Sequence, residues 1–366
     1  MNTFCLILES GECFEGRSPQ PKIRETAGEV VFNTSHSGYE EIATDPSYMN
    51  QIIVMTAPMQ GNYGASQAVW ESNRVWIEGF ICTEVQDSPR ENSWVVRLTE
   101  HQVPLLCEVD TRRLVVHLRS QGATWGAIVQ ADSLSEMKEK AKKLIQIKKD
   151  QPGDWVFAAS RKQVQTIQGD FPLGPKIGIM DFGVKENIIR EIKQRSSQCL
   201  VFPARTSSEL LLKSGLNGIV LSNGPGDPAL VEVAPNTVRN LVGKIPLFGI
   251  CMGHQILGLA LGAKTYKLKF GHRGANHPIS DLLLNKIYVS SQNHGYAVDS
   301  RTLPPQLKVT QINLNDQTVA GFYSDELNIL GIQYHPESCP GPHDAKGLFD
   351  YFIHKMILEK NHVSSI

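Results

Sequence analysis

Residues 246–255 read Pro246-Leu247-Phe248-Gly249-Ile250-Cys251-Met252-Gly253-His254-Gln255, an apolar run followed by a glycine-flanked cysteine. The G-x-C-x-G spacing is typical of a nucleophile elbow, in which flanking glycines permit a strained strand-to-helix turn and close packing. Such a turn places Cys251 at a helix N-terminus, where free backbone N–H groups and the positive dipole end favour thiolate over thiol. A buried structural cysteine is the alternative, because free cysteine is among the most buried residue types. The elbow alone does not decide between them.

A second motif is Leu330-Gly331-Ile332-Gln333-Tyr334-His335-Pro336-Glu337-Ser338, where an apolar run leads into His-Pro-Glu. Pro336 biases His335 toward an extended conformation, and side chains two apart on an extended chain point the same way. The pattern predicts that His335 takes the thiol proton of Cys251 while Glu337 orients the imidazole. Most of the 11 histidines are expected to be ordinary hydrogen-bonded side chains.

The third motif is Ile219-Val220-Leu221-Ser222-Asn223-Gly224-Pro225-Gly226-Asp227-Pro228, an apolar run that ends in a Gly/Pro loop. Glycines at Gly224 and Gly226 let backbone N–H groups approach a ligand oxygen, as an oxyanion hole requires. Gly-Pro-Gly-Asp-Pro is also strong turn chemistry, and taken alone the motif favours a plain turn.

Together, the three motifs resemble the class I, triad-type glutamine amidotransferases over roughly residues 176–355. The resemblance implies that Cys251 attacks the amide carbon of glutamine, that ammonia leaves, and that water cleaves the thioester. It also implies that the backbone N–H groups of Gly224 and Met252 stabilise the oxyanion and that Gln255 helps to hold the substrate. Met252 stands where the family often has leucine, a difference of little weight if only its N–H acts.

The composition is that of a globular enzyme without a polyanionic partner. The 366 residues are 41% hydrophobic and 20% charged, with a net charge of −1, which indicates neither nucleic-acid nor membrane binding. The N-terminus lacks the pattern of a secretion signal, and no run approaches ~18 apolar residues. Seven cysteines without tight spacing predict a reducing, cytoplasmic location rather than a disulfide framework.

The pattern along the chain predicts an α/β protein of two domains. Residues 133–149 have apolar positions at helical spacing, with lysines on a solvated face. Asp150-Gln151-Pro152-Gly153-Asp154 breaks that helix, and the polar stretch up to Gly174-Pro175 predicts a linker or irregular connection. We therefore expect a mixed β/α domain over residues 1–150 and an amidotransferase domain over 175–366.

Within the second domain, apolar runs alternate with helix-like stretches, an order that predicts βαβ units and a mostly parallel central sheet. The runs are residues 176–180, 199–202, 218–221 and 246–250, and the helices include 185–193 and 207–213. Closer runs at 286–290, 308–312, 318–323 and 329–333 predict antiparallel additions before the strand that carries His335. Active residues at the carboxyl ends of strands are typical of open α/β sheets.

Two further patterns carry no site. Residues 258–265 look like a phosphate-binding loop, but their glycines are too close together and the segment ends the elbow helix instead of opening one. His272 and His277 lack the spacing and neighbours of a zinc site, so no metal is expected.

In the first domain, residues 28–35, 38–48, 61–64 and 110–112 have no generic chemistry, but their sequence is similar to the amino-terminal domain of carbamoyl-phosphate synthase small subunits. Amidotransferases of the guanylate, anthranilate and cytidylate synthases lack that domain. Residues 181–188 and 291–298 look like the same family, so the resemblance covers nearly the whole chain. It adds five residues to the glutamine pocket: Ser47, Gly226, Asn293, Gly295 and Tyr296. Tyr296 stands where phenylalanine is common, which leaves its hydroxyl unexplained.

The resemblance implies a subunit that needs a partner. The chain has no recognisable nucleotide site, so we expect no cofactor here and ATP and Mg in a large synthetase subunit. Ammonia from glutamine would pass to that subunit for carbamoyl phosphate in arginine and pyrimidine biosynthesis. Three alternatives remain: a glutaminase subunit of another synthase, a non-catalytic regulatory subunit of the same fold, and a thiol hydrolase of esters or peptides.

Overall fold

The computed structural model describes residues 2–88, 92–151, 153–231 and 233–359, and these residues group into two units. The first comprises the described parts of residues 1–152 together with 269–274. The second comprises the described parts of residues 153–268 and 275–366.

The first unit is built on a mixed sheet of seven strands. They are β1 (Asn2–Leu8), β2 (Cys13–Ser18), β3 (Thr26–Asn33), β4 (Gln51–Met55), β6 (Gly79–Ile81), β8 (Leu105–Leu106) and β9 (Thr124–Val129). Their order is β2-β1-β9-β3-β4-β6-β8, antiparallel from β2 to β3 and parallel from β3 to β8. A separate parallel pair is formed by β5 (Met59–Gln60) and β7 (Glu84–Val85). The helices are α1 (Tyr39–Thr44), α2 (Trp94–Glu100), α3 (Thr111–Gln121) and α4 (Leu134–Lys149), with 3₁₀ turns at Pro46–Tyr48 and Gln67–Val69.

Helix α4 confirms the helix predicted from the apolar spacing of residues 133–149. The hydroxyl of Ser133 accepts the amide of Glu136 at 3.2 Å, which caps the N-terminus. Ala141 and Ile145 are buried in a cluster with residues of β1, β3 and β9. The exposed face carries lysines, as the sequence predicts.

The second unit contains a ten-stranded sheet. Its strands are β10 (Gln165–Gln168), β11 (Lys176–Asp181), β12 (Gln198–Pro203), β13 (Gly218–Leu221), β14 (Leu247–Ile250), β15 (Thr265–Asp281), β16 (Lys286–Val298), β17 (Lys308–Asn313), β18 (Val319–Ser324) and β19 (Ile329–Ile332). Their order is β10-β12-β11-β13-β14-β19-β18-β17-β15-β16. The helices are α5 (Trp155–Ala159), α6 (Glu186–Lys193), α7 (Ser208–Lys213), α8 (Ala234–Leu241), α9 (Met252–Ala260) and α10 (Gly347–Asp350), which continues as the π-helix Tyr351–Leu358. 3₁₀ turns lie at Pro228–Leu230 and Ser300–Thr302.

Five neighbouring strands of this sheet are parallel, which confirms the predicted βαβ organisation. Strands β12, β11, β13, β14 and β19 run side by side in one direction. Their apolar residues are buried in two clusters, as expected for parallel strands covered on both faces. Because parallel strands end on the same edge, the loops after Asp181, Leu221, Ile250 and Ile332 share that edge.

Strands β17 and β18 are antiparallel additions, as predicted, but the prediction is wrong for the run at 329–333, which forms β19 and pairs parallel with β14. Strand β18 pairs antiparallel with β19 and with β17, and β17 pairs antiparallel with β15. Residues 258–260 form the last turn of α9, so the glycine-rich stretch there closes a helix instead of opening one, as expected.

The prediction of a linker or irregular connection between residues 150 and 175 is wrong for residues 155–159 and 165–168. Helix α5 and strand β10 lie at these positions, and β10 pairs antiparallel with β12 at the end of the sheet. Three of the four residues of β10 are exposed, which left the strand without an apolar pattern, and α5 is apolar but only five residues long. Pro152, part of the predicted break, lies outside the described residues.

Candidate active site

The elbow at Cys251 has the backbone that the glycine spacing predicts. Cys251 has φ 53° and ψ −102°, a strained conformation for a residue with a side chain. A Cβ on Gly253 would lie 2.1 Å from the carbonyl oxygen of Leu221, and one on Gly249 would lie 2.6 Å from the carbonyl oxygen of Gly253. Both positions therefore exclude any residue larger than glycine without a backbone shift.

Hydrogen bonds to neighbouring strands hold this turn in place. The amide of Cys251 donates to the carbonyl of Ile332 at 2.8 Å, and the amide of Gly253 donates to that of Ser222 at 3.0 Å. Cys251 is therefore fixed between the ends of β19 and β13. Met252 is the first residue of α9, a position whose N–H has no partner within a helix.

The thiol of Cys251 is buried, with 2% of the residue exposed, and lies among polar groups. It donates to the carbonyl of Asn293 at 3.5 Å, and Nε2 of Gln333 lies 3.8 Å from Sγ. The two interpretations of this cysteine are thus not exclusive: it is buried, and it stands at a strained strand-to-helix turn.

His335 and Glu337 lie together, as their spacing predicts. Nδ1 of His335 is 2.7 Å from Oε1 of Glu337, and both side chains are buried. No hydrogen bond of ordinary geometry reaches Nε2 of His335 among the described residues. Burial by itself lowers the pKa of His335, but the charge of Glu337 and the thiol of Cys251 raise it to about 10. Glu337 therefore favours the protonated imidazole, the form that His335 takes when it accepts the thiol proton.

Lys185 is a buried cation that the sequence analysis did not assign. Its Nζ lies 3.1 Å from Oε1 of Glu337 and also donates to the carbonyl of Ser338. Asn187 donates from Nδ2 to the carbonyl of Glu337. Burial by itself raises the pKa of Glu337, but Lys185 and His335 lower it to about 2. Lys185 thus keeps the orienting carboxylate ionised.

A local signal for Lys185 exists in the sequence. It follows the apolar strand β11 and the segment Phe182-Gly183-Val184, where a solvated lysine is not expected.

Gln333, two residues before His335, was likewise not assigned, and its side-chain amide lies 3.8 Å from Sγ of Cys251. The extended segment expected from His335 to Glu337 is a turn instead, in which the amide of Ser338 donates to the carbonyl of His335 at 3.2 Å.

The Gly-Pro-Gly loop is held by close packing. A Cβ on Gly224 would lie 2.3 Å from the carbonyl oxygen of Phe182. Gly226 has φ 91°, and a Cβ at this position would lie 3.3 Å from a ring carbon of Trp155 in α5. The segment predicted as a linker therefore packs against the loop through Trp155, a contact that the sequence analysis did not predict.

Of the other predicted pocket residues of the second unit, Asn293 contacts the thiol and Gln255 is linked to it through Gln333. Gln255 donates through Nε2 to the carbonyl of Tyr296 at 2.8 Å and to Oε1 of Gln333 at 3.0 Å. Both hydrogens of its amide are thus used, and its carbonyl oxygen is the group that can accept from a substrate. Asn293 contacts Cys251 through its carbonyl, and Gly295 lies between Asn293 and Tyr296 on β16.

Ser47 lies in the first unit, in the 3₁₀ turn after α1. It is buried, and its amide donates to Oδ1 of Asp45 at 2.9 Å. Its predicted part in the glutamine pocket stays a prediction.

The described part of the chain has neither a metal-binding cluster nor a membrane-spanning helix. No group of three or more His, Cys, Asp or Glu side chains there is arranged to hold a metal ion. No helix in it has the length and apolar character needed to cross a membrane.

Comparison with known proteins identifies two family matches. The family "Glutamine amidotransferase class-I" matches residues 178–355, and the family "Carbamoyl-phosphate synthase small chain, CPSase domain" matches residues 6–128. The carbamoyl phosphate synthase small chain of Symbiobacterium thermophilum is 43% identical over 362 residues, covering 94% of this chain and 96% of that one. The same-named proteins of Methanopyrus kandleri and Bacillus caldolyticus are each 43% identical, over 359 and 355 residues. These cover 95% of this chain in both cases, and 97% and 95% of the relatives.

Proposed function

The chain belongs to the family of carbamoyl-phosphate synthase small chains, the glutamine-hydrolysing subunits of that synthase, and we propose that Cys251, His335 and Glu337 carry out its hydrolysis of glutamine. The observation that carries this proposal is the buried His335–Glu337 pair beside a cysteine held at a strained elbow. Nucleophile, base and orienting carboxylate are the three parts of a catalytic triad.

In the proposed reaction, His335 accepts the thiol proton and the sulfur of Cys251 attacks the side-chain amide carbon of glutamine. The backbone N–H groups of Gly224 and Met252 stabilise the oxyanion of the tetrahedral intermediate. His335 returns its proton to the leaving nitrogen, which departs as ammonia. Water, deprotonated by His335, then cleaves the thioester and releases glutamate. Glu337 stabilises the imidazolium throughout, and Lys185 keeps that carboxylate charged.

Glutamine, in preference to an ester or peptide, is the substrate that the pocket favours. We propose that Gln255, Asn293, Gly295 and Tyr296 bind it, with Gly226 in the loop and Ser47 from the first unit. The side-chain carbonyl oxygen of Gln255 and the backbone carbonyl oxygen of Asn293 can accept hydrogen bonds from the α-ammonium and amide N–H groups of glutamine. The carbonyl of Asn293 already contacts the thiol of Cys251.

A large synthetase chain is the proposed partner. Small chains of this family imply a large one, and ammonia released at Cys251 would reach it internally, because free ammonia protonates and escapes in water. In this proposal ATP and Mg²⁺ bind the large chain, whose product is carbamoyl phosphate for arginine and pyrimidine biosynthesis. This chain itself needs no cofactor.

We also propose a cytoplasmic location. All seven cysteines lie in described residues and are free thiols, which suits a reducing compartment.

The alternatives are less well supported. A subunit of another synthase would not account for the match of residues 6–128 to a small-chain domain. A non-catalytic regulatory subunit would be expected to have lost at least one of Cys251, His335 and Glu337, and all three are present.

Reconstitution tests the proposed function. The chain would be purified with its large partner, and carbamoyl phosphate would be measured from ATP, bicarbonate and either glutamine or ammonia. We expect synthesis from glutamine only when both chains are present, and synthesis from ammonia by the large chain alone. Equal synthesis from glutamine without this chain would contradict the proposal.

A further inference from the structure

A chain of three buried polar side chains starts directly beside His335. The hydroxyl of Tyr334 lies 2.5 Å from that of Tyr288, which donates to Oδ2 of Asp281 at 2.6 Å. Tyr334 is fully buried, Tyr288 is 5% exposed and Asp281 is 2% exposed. The proposed reaction uses none of them.

The direction of these hydrogen bonds follows from the donors available. Tyr288 gives its proton to Asp281, so Tyr334 donates to the oxygen of Tyr288. Oδ1 of Asp281 accepts the amides of Leu283 and Leu284 at 2.8 and 3.0 Å. Burial raises the pKa of Tyr288 and Tyr334 above the ordinary value, so both hydroxyls keep their protons. The chain therefore ends on a carboxylate that the backbone itself holds in place.

Strand β16 joins this chain of hydroxyls to the catalytic groups. Tyr288 lies on β16, and three residues later the carbonyl of Ser291 accepts the amide of His335 at 2.9 Å. Further along the same strand, the carbonyl of Asn293 contacts the thiol of Cys251. Tyr334 and His335 share one peptide, and both are bonded to β16: Tyr334 through the hydroxyl of Tyr288 and His335 through the carbonyl of Ser291.

We propose that Tyr334 is a positioning residue for His335: its hydroxyl, anchored through Tyr288 on Asp281, fixes the backbone that carries the imidazole. The inference rests on the proposed role of His335 as the base. Tyr334 does not touch the substrate and acts through the peptide that joins it to His335. Loss of its hydroxyl should therefore reduce the rate of the chemical step and leave the binding of glutamine unchanged.

The test is Tyr334→Phe in the complex with the large chain, with kcat and KM for glutamine measured beside ammonia-dependent synthesis. Displacements of about 1 Å in reacting groups cost on the order of 100-fold in rate. A single lost tether should displace His335 by less, and we expect kcat to fall about tenfold with KM unchanged. Tyr323→Phe is the matched control, because the hydroxyl of Tyr323 also donates to an aspartate, Asp325 at 2.9 Å, which lies outside the segment that carries His335. It should leave both constants unchanged.

Tyr288→Phe tests whether the hydroxyls of Tyr334 and Tyr288 act together, as one chain bonded to Asp281, or separately. It removes the same anchor, so the double variant Tyr288→Phe/Tyr334→Phe should be no worse than the more affected single variant. Losses that multiply would show that the two hydroxyls act separately and would overturn the proposal.

Two further outcomes would also overturn it. One is a normal kcat in Tyr334→Phe, and the other is a fall in kcat accompanied by an equal loss of ammonia-dependent synthesis, the mark of general damage to the fold. Cys251→Ser, assayed beside these variants, distinguishes this failure from that of the proposed function. If Cys251→Ser is inactive with glutamine while Tyr334→Phe is normal, only the positioning role fails. If Cys251→Ser keeps its glutaminase activity, the triad fails and the positioning role fails with it.

Discussion

The nucleophile and the base of this site are held in place by different means. Cys251 is positioned by its backbone: a positive φ, two glycines where a Cβ does not fit, and amide bonds to neighbouring strands. His335 is positioned by side chains, above all Glu337, which in turn pairs with Lys185, 152 residues away in the chain. The first arrangement depends on the shape of one turn, and the second depends on charges brought together by the fold.

This difference predicts that the nucleophile and the base respond differently to substitution. A methyl group is enough to disturb the elbow, because its contacts are with backbone atoms that cannot move aside. The base depends instead on the balance of charge around the buried carboxylate of Glu337. The predictions below disturb each of the two separately.

The largest effect is expected from removal of the nucleophile. Cys251→Ser keeps the size of the side chain but lacks a reactive thiolate, and loss of a triad nucleophile costs on the order of 10⁴–10⁶ in rate. Glutamine-dependent synthesis by the complex should be abolished while ammonia-dependent synthesis persists. His335→Asn should do nearly as much harm and Glu337→Gln less. Normal glutaminase activity in Cys251→Ser would show that the elbow does not carry the nucleophile.

Gly253→Ala tests whether close backbone packing positions Cys251. The added Cβ would lie 2.1 Å from the carbonyl oxygen of Leu221, so the elbow must shift, and glutaminase kcat should fall by about 100-fold. Gly258→Ala is the matched control in the same helix, since its Cβ would meet nothing closer than 3.4 Å. The assay is glutamine hydrolysis by the purified complex. Similar rates for the two variants would mean that close packing at Gly253 does not set the position of Cys251.

Lys185→Met tests whether the charges around Glu337 position His335. Removing one partner of a buried ion pair costs about 3–5 kcal/mol, and we expect about 3 kcal/mol here because His335 still faces Glu337. Urea unfolding would measure the loss. Glutaminase kcat should fall about tenfold. Lys193→Met, at the other end of α6, removes an exposed pair with Asp170 and should change stability by less than about 1 kcal/mol.

The stability of Lys185→Met should also depend on pH differently from that of the unmodified protein. Because the pKa of Glu337 is lowered from 4.5 to about 2, its ionised form contributes stability that is fully present above pH 4.5 and is lost as the pH falls through 2. Without Lys185 that pKa rises, so the acid loss of stability should begin at a higher pH in Lys185→Met. Superimposable acid-unfolding curves for the two proteins would show that Lys185 does not act on Glu337.

Ser47→Ala is expected to have the smallest effect, confined to binding. If Ser47 contacts glutamine, loss of a neutral hydrogen bond is worth roughly 0.5–1.5 kcal/mol, and about 1.5–3 kcal/mol if it meets the substrate carboxylate. KM should rise, by more than about tenfold in the second case, while kcat changes far less, since the contact is equal in ground and transition states. Steady-state kinetics on the complex would decide. An unchanged KM would place Ser47 away from the substrate.

The features predicted from sequence are those encoded within a few consecutive residues. The elbow at Cys251, the pairing of His335 with Glu337, the parallel strands and helix α4 each follow from a local pattern. The ion pair between Lys185 and Glu337 does not: the apolar stretch before Lys185 is a local signal that this lysine is buried, but its partner lies 152 residues away and meets it only in the fold. Strand β10 was missed because three of its four residues are exposed, so it has no apolar pattern.

In the first unit, too, residue type and pattern could not predict a functional residue. Its strands and turns carry no generic chemistry, and only their resemblance to a known family assigned Ser47 a role. Hydrophobic pattern and residue type could not have found that residue, since its burial and its turn are those of an ordinary structural serine.

Direct detection of the covalent intermediate tests the central claim, that Cys251 is the nucleophile activated by His335. The complex would be mixed with glutamine, quenched in acid during turnover, and digested for mass spectrometry. We predict a glutamyl group in thioester linkage on the peptide that contains Cys251, and its absence in Cys251→Ser. A glutamyl group on another residue, or turnover of glutamine in Cys251→Ser at the normal rate, would contradict the account.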